Sequence, residues 1–184
     1  MKLYLNLPQT TAIAAVRNLA HPSVDDLRSL PVASGSRLIV VKIDSAFLED
    51  PKDAVAVLRN EHGITQLDTI IANAGIGKDW SLVAQTDIAE VEDHFKINSV
   101  GPFTLYLATR SLLLASANPK FIVLSTELGS IGLQGERKIQ DVAYGMSKAA
   151  VNFFVGKLHH EEPKLTAFPI HPGSVSTVVK SVPC

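Results

Sequence analysis

The sequence predicts an α/β fold: a doubly wound parallel sheet with helices on both faces. Three observations carry that expectation. Short apolar, β-branched runs recur along the chain, among them TAIAAV, RLIVVKI, LDTIIA and KFIVL. Segments with helical spacing of apolar residues lie between them. Polar or glycine-bearing residues follow the runs: Arg17, Asp44, Asn73 to Gly75, Ser125-Thr126 and Pro172-Gly173. Strands apolar throughout are those buried on both faces, and alternation with helices argues for parallel order. In such a sheet ligands bind beyond the strand C-termini, where these polar residues fall.

The elements follow in order. Residues 11–16 read as a buried strand ending at Arg17-Asn18, and 21–30 as a short helix. Residues 37–43 form a strand stopped by Asp44-Ser45. Residues 51–62 have helical spacing through Ala54, Val55 and Leu58, with Gly63 as the stop. Residues 67–72 form a strand running into Asn73-Ala74-Gly75. Residues 88–115 are largely helical, broken or re-aimed near Gly101-Pro102. Residues 120–124 are a strand, 142–160 a long helix, and 165–170 a final strand ending at His171-Pro172-Gly173.

No repeat, linker or low-complexity tract divides the chain, so one domain spanning 1–184 is expected. A formal net charge of −1 gives no basic footprint for nucleic acid. No apolar run approaches the length of a membrane span. The opening Met1-Lys2-Leu3-Tyr4-Leu5 is interrupted by Asn6, Pro8, Gln9, Thr10 and Thr11, so it does not read as a signal peptide. The single Cys184 rules out an intrachain disulfide, and a reducing, cytoplasmic setting is expected. The six histidines are scattered, His159 and His160 are merely adjacent, and no metal site is expected.

The residues with the clearest chemistry are Tyr144 and Lys148. Four apart, they share one face of the predicted helix. An ammonium beside a phenol lowers its pKa, which makes the phenol a proton donor near neutral pH. Against this stands the opening of the chain: no glycine precedes Gly35, so no glycine-rich phosphate cradle leads into the first strand.

Five pieces together carry a resemblance. They are Asn73-Ala74-Gly75, Ile97-Asn98-Ser99-Val100-Gly101, Leu124-Ser125-Thr126-Glu127-Leu128-Gly129, Tyr144-x-x-x-Lys148, and Pro172-Gly173-Ser174-Val175-Ser176-Thr177. In this order, at these element ends, the chain resembles the short-chain dehydrogenases/reductases, especially the ketoreductases of fungal polyketide pathways. The likeness covers residues 10–177 and implies a Rossmann-like sheet. It implies an oxidoreductase using NADP(H) on a small-molecule carbonyl compound of secondary metabolism. It also implies a homodimer or homotetramer assembled through the two long helices.

The resemblance further implies roles. Tyr144 is the general acid and Lys148 holds the nicotinamide ribose; the alternatives are an interface tyrosine and a solvated lysine. Asn98 holds a water in the proton relay, or is a polar residue at a helix kink. The substrate-binding hydroxyl lies three residues before Gly129, which selects Thr126 over Ser125. A threonine makes the same hydrogen bond with a stiffer χ1. Arg17 suits the 2′-phosphate of NADP(H), where an acidic residue would bind the hydroxyls of NAD; otherwise it is an exposed arginine. Asp44 resembles the adenine-binding aspartate, with a helix cap as the alternative. Asn73, Ala74 and Gly75 pass the adenine ribose, or Asn73 ties neighbouring strands together. Val175 and Thr177 resemble the backbone and hydroxyl contacts to the nicotinamide amide, and Pro172 and Gly173 belong to the same cofactor-binding stretch. His171 is expected to pack at a strand end. Trp80, Leu82 and the 132–140 segment border the expected pocket.

The departures matter as much. The family's first strand and its Thr-Gly-x-x-x-Gly-x-Gly turn have no counterpart before the 11–16 strand, and residues 1–7 resemble the end of the following helix. The turn's backbone N–H groups, which bind pyrophosphate, are therefore missing from the pattern. So is the central strand, which leaves an edge or gap in the sheet. Past Thr177 the covering segment is also missing from the pattern. Three classes of function remain: the NADP(H)-dependent ketoreductase, a cofactor-free acid–base enzyme on the same fold, and a non-catalytic partner subunit. Loss of activity in Tyr144→Phe marks the first. Turnover without cofactor marks the second, and association with a full-length homologue the third.

Overall fold

The structure is a computed structural model describing residues 1–136 and 139–173. Val175 and Thr177 lie outside the described residues. In chain order the main elements are α1 (Lys2–Leu5), β1 (Thr11–Val16), α2 (Ser23–Arg28), β2 (Arg37–Lys42), α3 (Asp50–Asn60), β3 (Thr69–Ala72) and α4 (Ile88–Phe95). They continue with a π turn (Lys96–Val100), α5 (Gly101–Leu114), β4 (Lys120–Leu124), a 3₁₀ turn (Glu127–Gly129), α6 (Val142–Glu161) and β5 (Thr166–Ile170). Every strand expected from the sequence is present. α2 is shorter than its expected 21–30 span, with Pro22 immediately before it. The interruption of the long helical segment falls just before Gly101, as the π turn.

All strand pairs are parallel, in two ladders: β1–β2 and β3–β4–β5. Among the described residues no ladder joins β1 to β3. The gap expected from the sequence is therefore where the chain divides its sheet.

Helices bridge the division. Leu58 of α3 and Leu112 of α5 pack with Ile39 and Val41 of β2. Leu113 and Tyr106 of α5 pack with Phe121 and Val123 of β4, beside Val151, Val155 and Leu158 of α6. Leu67 touches both clusters. Phe121 is fully buried and meets Tyr106 and Phe154 ring to ring. Burying a side chain of that size is worth about 1.5–3 kcal/mol, so this layer holds the ladders. In the β1–β2 ladder, Ala12 and Ala14 alternate to the opposite face and are also buried. The opposite face of β3–β4–β5 differs. Ile71, Ile122 and Phe168 form one cross-strand row there, with Ile71 42% and Phe168 39% exposed.

Parallel order sends the strand ends of each ladder to one rim. The ladders meet there through Gly101: a Cβ on it would lie 3.0 Å from Ser45 Cβ, just past β2. The small first residue of α5 lets the β2 exit come this close.

Candidate active site

α6 supplies both central side chains. Tyr144 is half-buried in its first turn, and Lys148, one turn on, is 5% exposed. Lys148 Nζ lies 5.7 Å from the Tyr144 ring centroid and donates to the carbonyl of Leu124, at the end of β4, at 2.8 Å. An ammonium has three donors, so two are left beyond that bond.

The electrostatics differ from the sequence expectation. Burial pushes the Tyr144 phenol above its ordinary value, and the negative charge of Asp141 adds to the rise. Burial pushes Lys148 down to about 8. The lysine faces the ring and a carbonyl, and no lowering of the phenol by its charge is found. The sequence gives no signal for Asp141, because an acidic residue before a helix reads as a cap. It is buried, makes no side-chain cap, and has its Oδ2 without a hydrogen-bond partner. Its own carboxyl is pushed up by burial.

The lysine's shift has a consequence for stability. The unfolded chain holds the Lys148 proton up to the ordinary 10.5, and the folded chain only up to about 8. Between those values the unfolded state binds more protons, so this group makes stability rise with pH. We expect wild type to gain on Lys148→Met by about 3 kcal/mol across that window, read from denaturant unfolding at each pH. A constant difference would contradict the buried ammonium.

Asn98 sits in the π turn, fully buried. Its Oδ1 accepts from Ile76 N–H at 2.8 Å; its Nδ2 donates to Ile76 O and to Ser147 Oγ, both at 2.9 Å. Ser147 Oγ donates in turn to Tyr144 O at 2.7 Å. One amide thus ties the β3 exit to α6, and the extra residue of the π turn aims it there. Ser147 was also missed, because a serine between Tyr144 and Lys148 carries no periodic signal.

The 3₁₀ turn after β4 presents Thr126, half-buried, whose Oγ1 accepts from Leu128 N–H at 3.3 Å. Ser125 is buried and donates to Asn152 Oδ1 at 2.6 Å, so its hydroxyl is committed to α6. Of the pair, Thr126 has the freer hydroxyl. Gly129 lets the turn lie on α6, for a Cβ there would sit 2.8 Å from the Lys148 carbonyl carbon.

On the other side of the rim the candidates are more open. Arg17 is exposed, and its guanidinium has no partner among the described residues. Asp44 is half-buried, with Oδ1 accepting from Ala46 N–H at 2.9 Å in a local turn. Asn73, Ala74 and Gly75 are exposed; the Asn73 side chain makes no strand tie among the described residues. A Cβ on Gly75 would stand 3.1 Å from Asn98 Oδ1 and 3.5 Å from Lys148 Nζ, so glycine leaves the ammonium uncovered on that side. Pro172 and Gly173 are exposed beyond β5, as is His171, which does not pack against the strand end. Among the described residues no helix is long and apolar enough to cross a membrane, and no three His, Cys, Asp or Glu stand together as metal ligands.

Comparison with known proteins adds to this geometry. The profile of the short chain dehydrogenase family matches residues 9–182. The chain is 35% identical over 179 residues to the norsolorinic acid ketoreductase of Aspergillus parasiticus, covering 96% of this chain and 66% of that protein. It is 38% identical over 177 residues to the norsolorinic acid ketoreductase of Dothistroma septosporum, covering 95% and 66%. The chain thus spans just under two thirds of the length of these relatives. Among solved structures it resembles the carbonyl reductase Sniffer of D. melanogaster, with a TM-score of 0.81 and 26% identity over 94% of this chain and 73% of that one. An NADPH-bound carbonyl reductase from chicken fatty liver shares the fold at a TM-score of 0.75 and 22% identity, covering 88% and 67%.

Proposed function

The chain belongs to the short-chain dehydrogenase family, and from that premise we propose that it is an NADP(H)-dependent oxidoreductase reducing the carbonyl of an aromatic or polyketide-type secondary metabolite. The observation that carries the reading is Lys148. It is a buried ammonium with one protein acceptor among the described residues, beside the Tyr144 ring, on the rim where the parallel strands end.

The residues present fit a nicotinamide dinucleotide at its ribose and adenosine ends. The two remaining Lys148 donors suit ribose hydroxyls, and Gly75 leaves that approach open. Arg17, exposed and unpaired among the described residues, suits a 2′-phosphate, with Asp44 and Asn73 to Gly75 along the same rim. A nicotinamide held there would supply the hydride for carbonyl reduction.

The chain's own residues handle the proton. Tyr144 donates its phenolic proton to the carbonyl oxygen, which Thr126 orients through its hydroxyl. Lys148, protonated below about 8, stabilises the phenolate that remains. Asn98 and Ser147 fix the height of α6 against the β3 exit. The raised Tyr144 keeps the proton on the donor at neutral pH. Removing the Asp141 charge should move the alkaline limb of the rate profile to lower pH. Asp141→Asn with an unchanged limb would show that this carboxyl does not reach Tyr144.

The same reading covers assembly. Phe103 and Leu107 on α5 and Met146 and Phe153 on α6 are exposed apolar side chains, 43%, 55%, 50% and 74% respectively, which favours subunit contact through these helices.

The test is NADPH binding to the 184-residue chain by calorimetry, with NADH as comparison, followed by ketone reduction. Tight NADPH binding, weaker NADH binding and carbonyl-dependent NADPH oxidation are the expected results. A folded chain that binds neither dinucleotide overturns the reading.

A further inference from the structure

The segment after β3 packs on the proton donor. Trp80 meets the Tyr144 ring at 5.9 Å between centroids, tilted by 48°. Gly77 makes the approach possible: a Cβ there would lie 3.4 Å from the Tyr144 ring and 3.8 Å from the indole. The indole is half-buried, so part of it remains open.

This placement is held from beneath. His94 of α4 is fully buried and touches the Tyr144 ring edge-on at 6.5 Å. Its Nε2 accepts the Lys78 N–H at 3.2 Å, and its Nδ1 lies 2.7 Å from Glu90 O. With Nε2 accepting, Nδ1 is the nitrogen that donates to the Glu90 carbonyl. Lys78 Nζ adds ion pairs to Asp93 at 2.9 Å and Glu90 at 3.3 Å. One imidazole therefore sets both the phenol and the loop that carries the indole. A wall so fixed loses little freedom when a ligand stacks on it.

We propose that Trp80 is the specificity-determining residue of this site. Its fixed indole face takes the aromatic ring next to the reacting carbonyl and prefers planar aryl ketones over aliphatic ones. The inference rests on Tyr144 as the proton donor, because Trp80 gains its meaning from lying against that phenol. Offset or tilted ring stacking selects for flat π systems in a way that apolar contact alone does not.

The chain has one tryptophan, so its emission reports on this position alone. The first arm needs no cofactor: titrate the chain with acetonaphthone and, in parallel, with a straight-chain methyl ketone of equal carbon count. A saturable change in emission with the aryl ketone only is expected. Equilibrium dialysis should then show Trp80→Leu binding acetonaphthone about tenfold more weakly, with Trp80→Phe keeping most of the affinity. Equal binding by Trp80→Leu, or equal responses to both ketones, overturns the proposal. The second arm is turnover with NADPH. There Trp80→Leu should lower kcat/KM about tenfold for the aryl ketone and less than about threefold for the aliphatic one. A saturable aryl response with no NADPH oxidation by any ketone supports the aromatic wall and sinks the reductase reading, so the two failures are told apart.

Discussion

Tyr144→Phe should lower carbonyl reduction by about 10²–10⁴-fold while leaving the fold intact. Without the hydroxyl, the developing alkoxide has no positioned donor, and the cost is that of a lost general acid. The packing is kept, because the ring contacts to Trp80 and His94 and the closeness to Gly77 involve ring carbons. Among the described residues no partner holds the hydroxyl in the resting chain. Circular dichroism, unfolding midpoint and dinucleotide affinity should therefore match wild type, with the loss confined to turnover. A variant retaining more than about a tenth of the wild-type rate would move the proton source elsewhere. Thr126 and a water on the Asn98 side would be the next places to look.

Gly129→Ala should be costly for both stability and turnover. The added methyl would stand 2.8 Å from the Lys148 carbonyl carbon, 2.9 Å from Lys148 Cβ and 3.0 Å from Ala149 N. None of these is the tip of a flexible side chain, so relief requires the turn or α6 to move. Overpacking of this kind costs about 1–3 kcal/mol, visible as a lower denaturant midpoint at constant m value. The displacement falls between Thr126 and Lys148, so turnover should drop even where the variant is fully folded. Gly132→Ala is the matched control, since a Cβ there meets nothing within 4 Å. Equal stability of the two variants would show that the contact at Gly129 relaxes freely.

Much of this architecture is legible in the residues. β-branched runs such as RLIVVKI and KFIVL set strand positions because nothing else in the chain competes for them. The Tyr144–Lys148 pair is legible because helical spacing alone puts both on one face. The direction of the phenol's shift was not, for it depends on where the ammonium points. The Leu124 carbonyl draws it, and Asp141 stands nearer in effect. The sequence marks an interruption near Gly101-Pro102 but not its π geometry, because one extra residue in a turn leaves no signature in apolar spacing. Lys78, Glu90, Asp93 and His94 carry no shared signal in the sequence; only the fold shows them gathered under one loop.

The two ladders carry a last consequence, for how the chain opens. Backbone hydrogen bonds run within β1–β2 and within β3–β4–β5, while side chains of α3 and α5 and the approach of Gly101 to Ser45 tie the two together. Amide exchange should therefore separate into two cooperative units. Amides of β1 and β2 would exchange together through a lower opening, and those of β4, α5 and α6 through the global one. In such a molecule the Arg17 rim breathes independently of the Tyr144 rim. A ligand that spans both would slow exchange in the first unit far more than in the second.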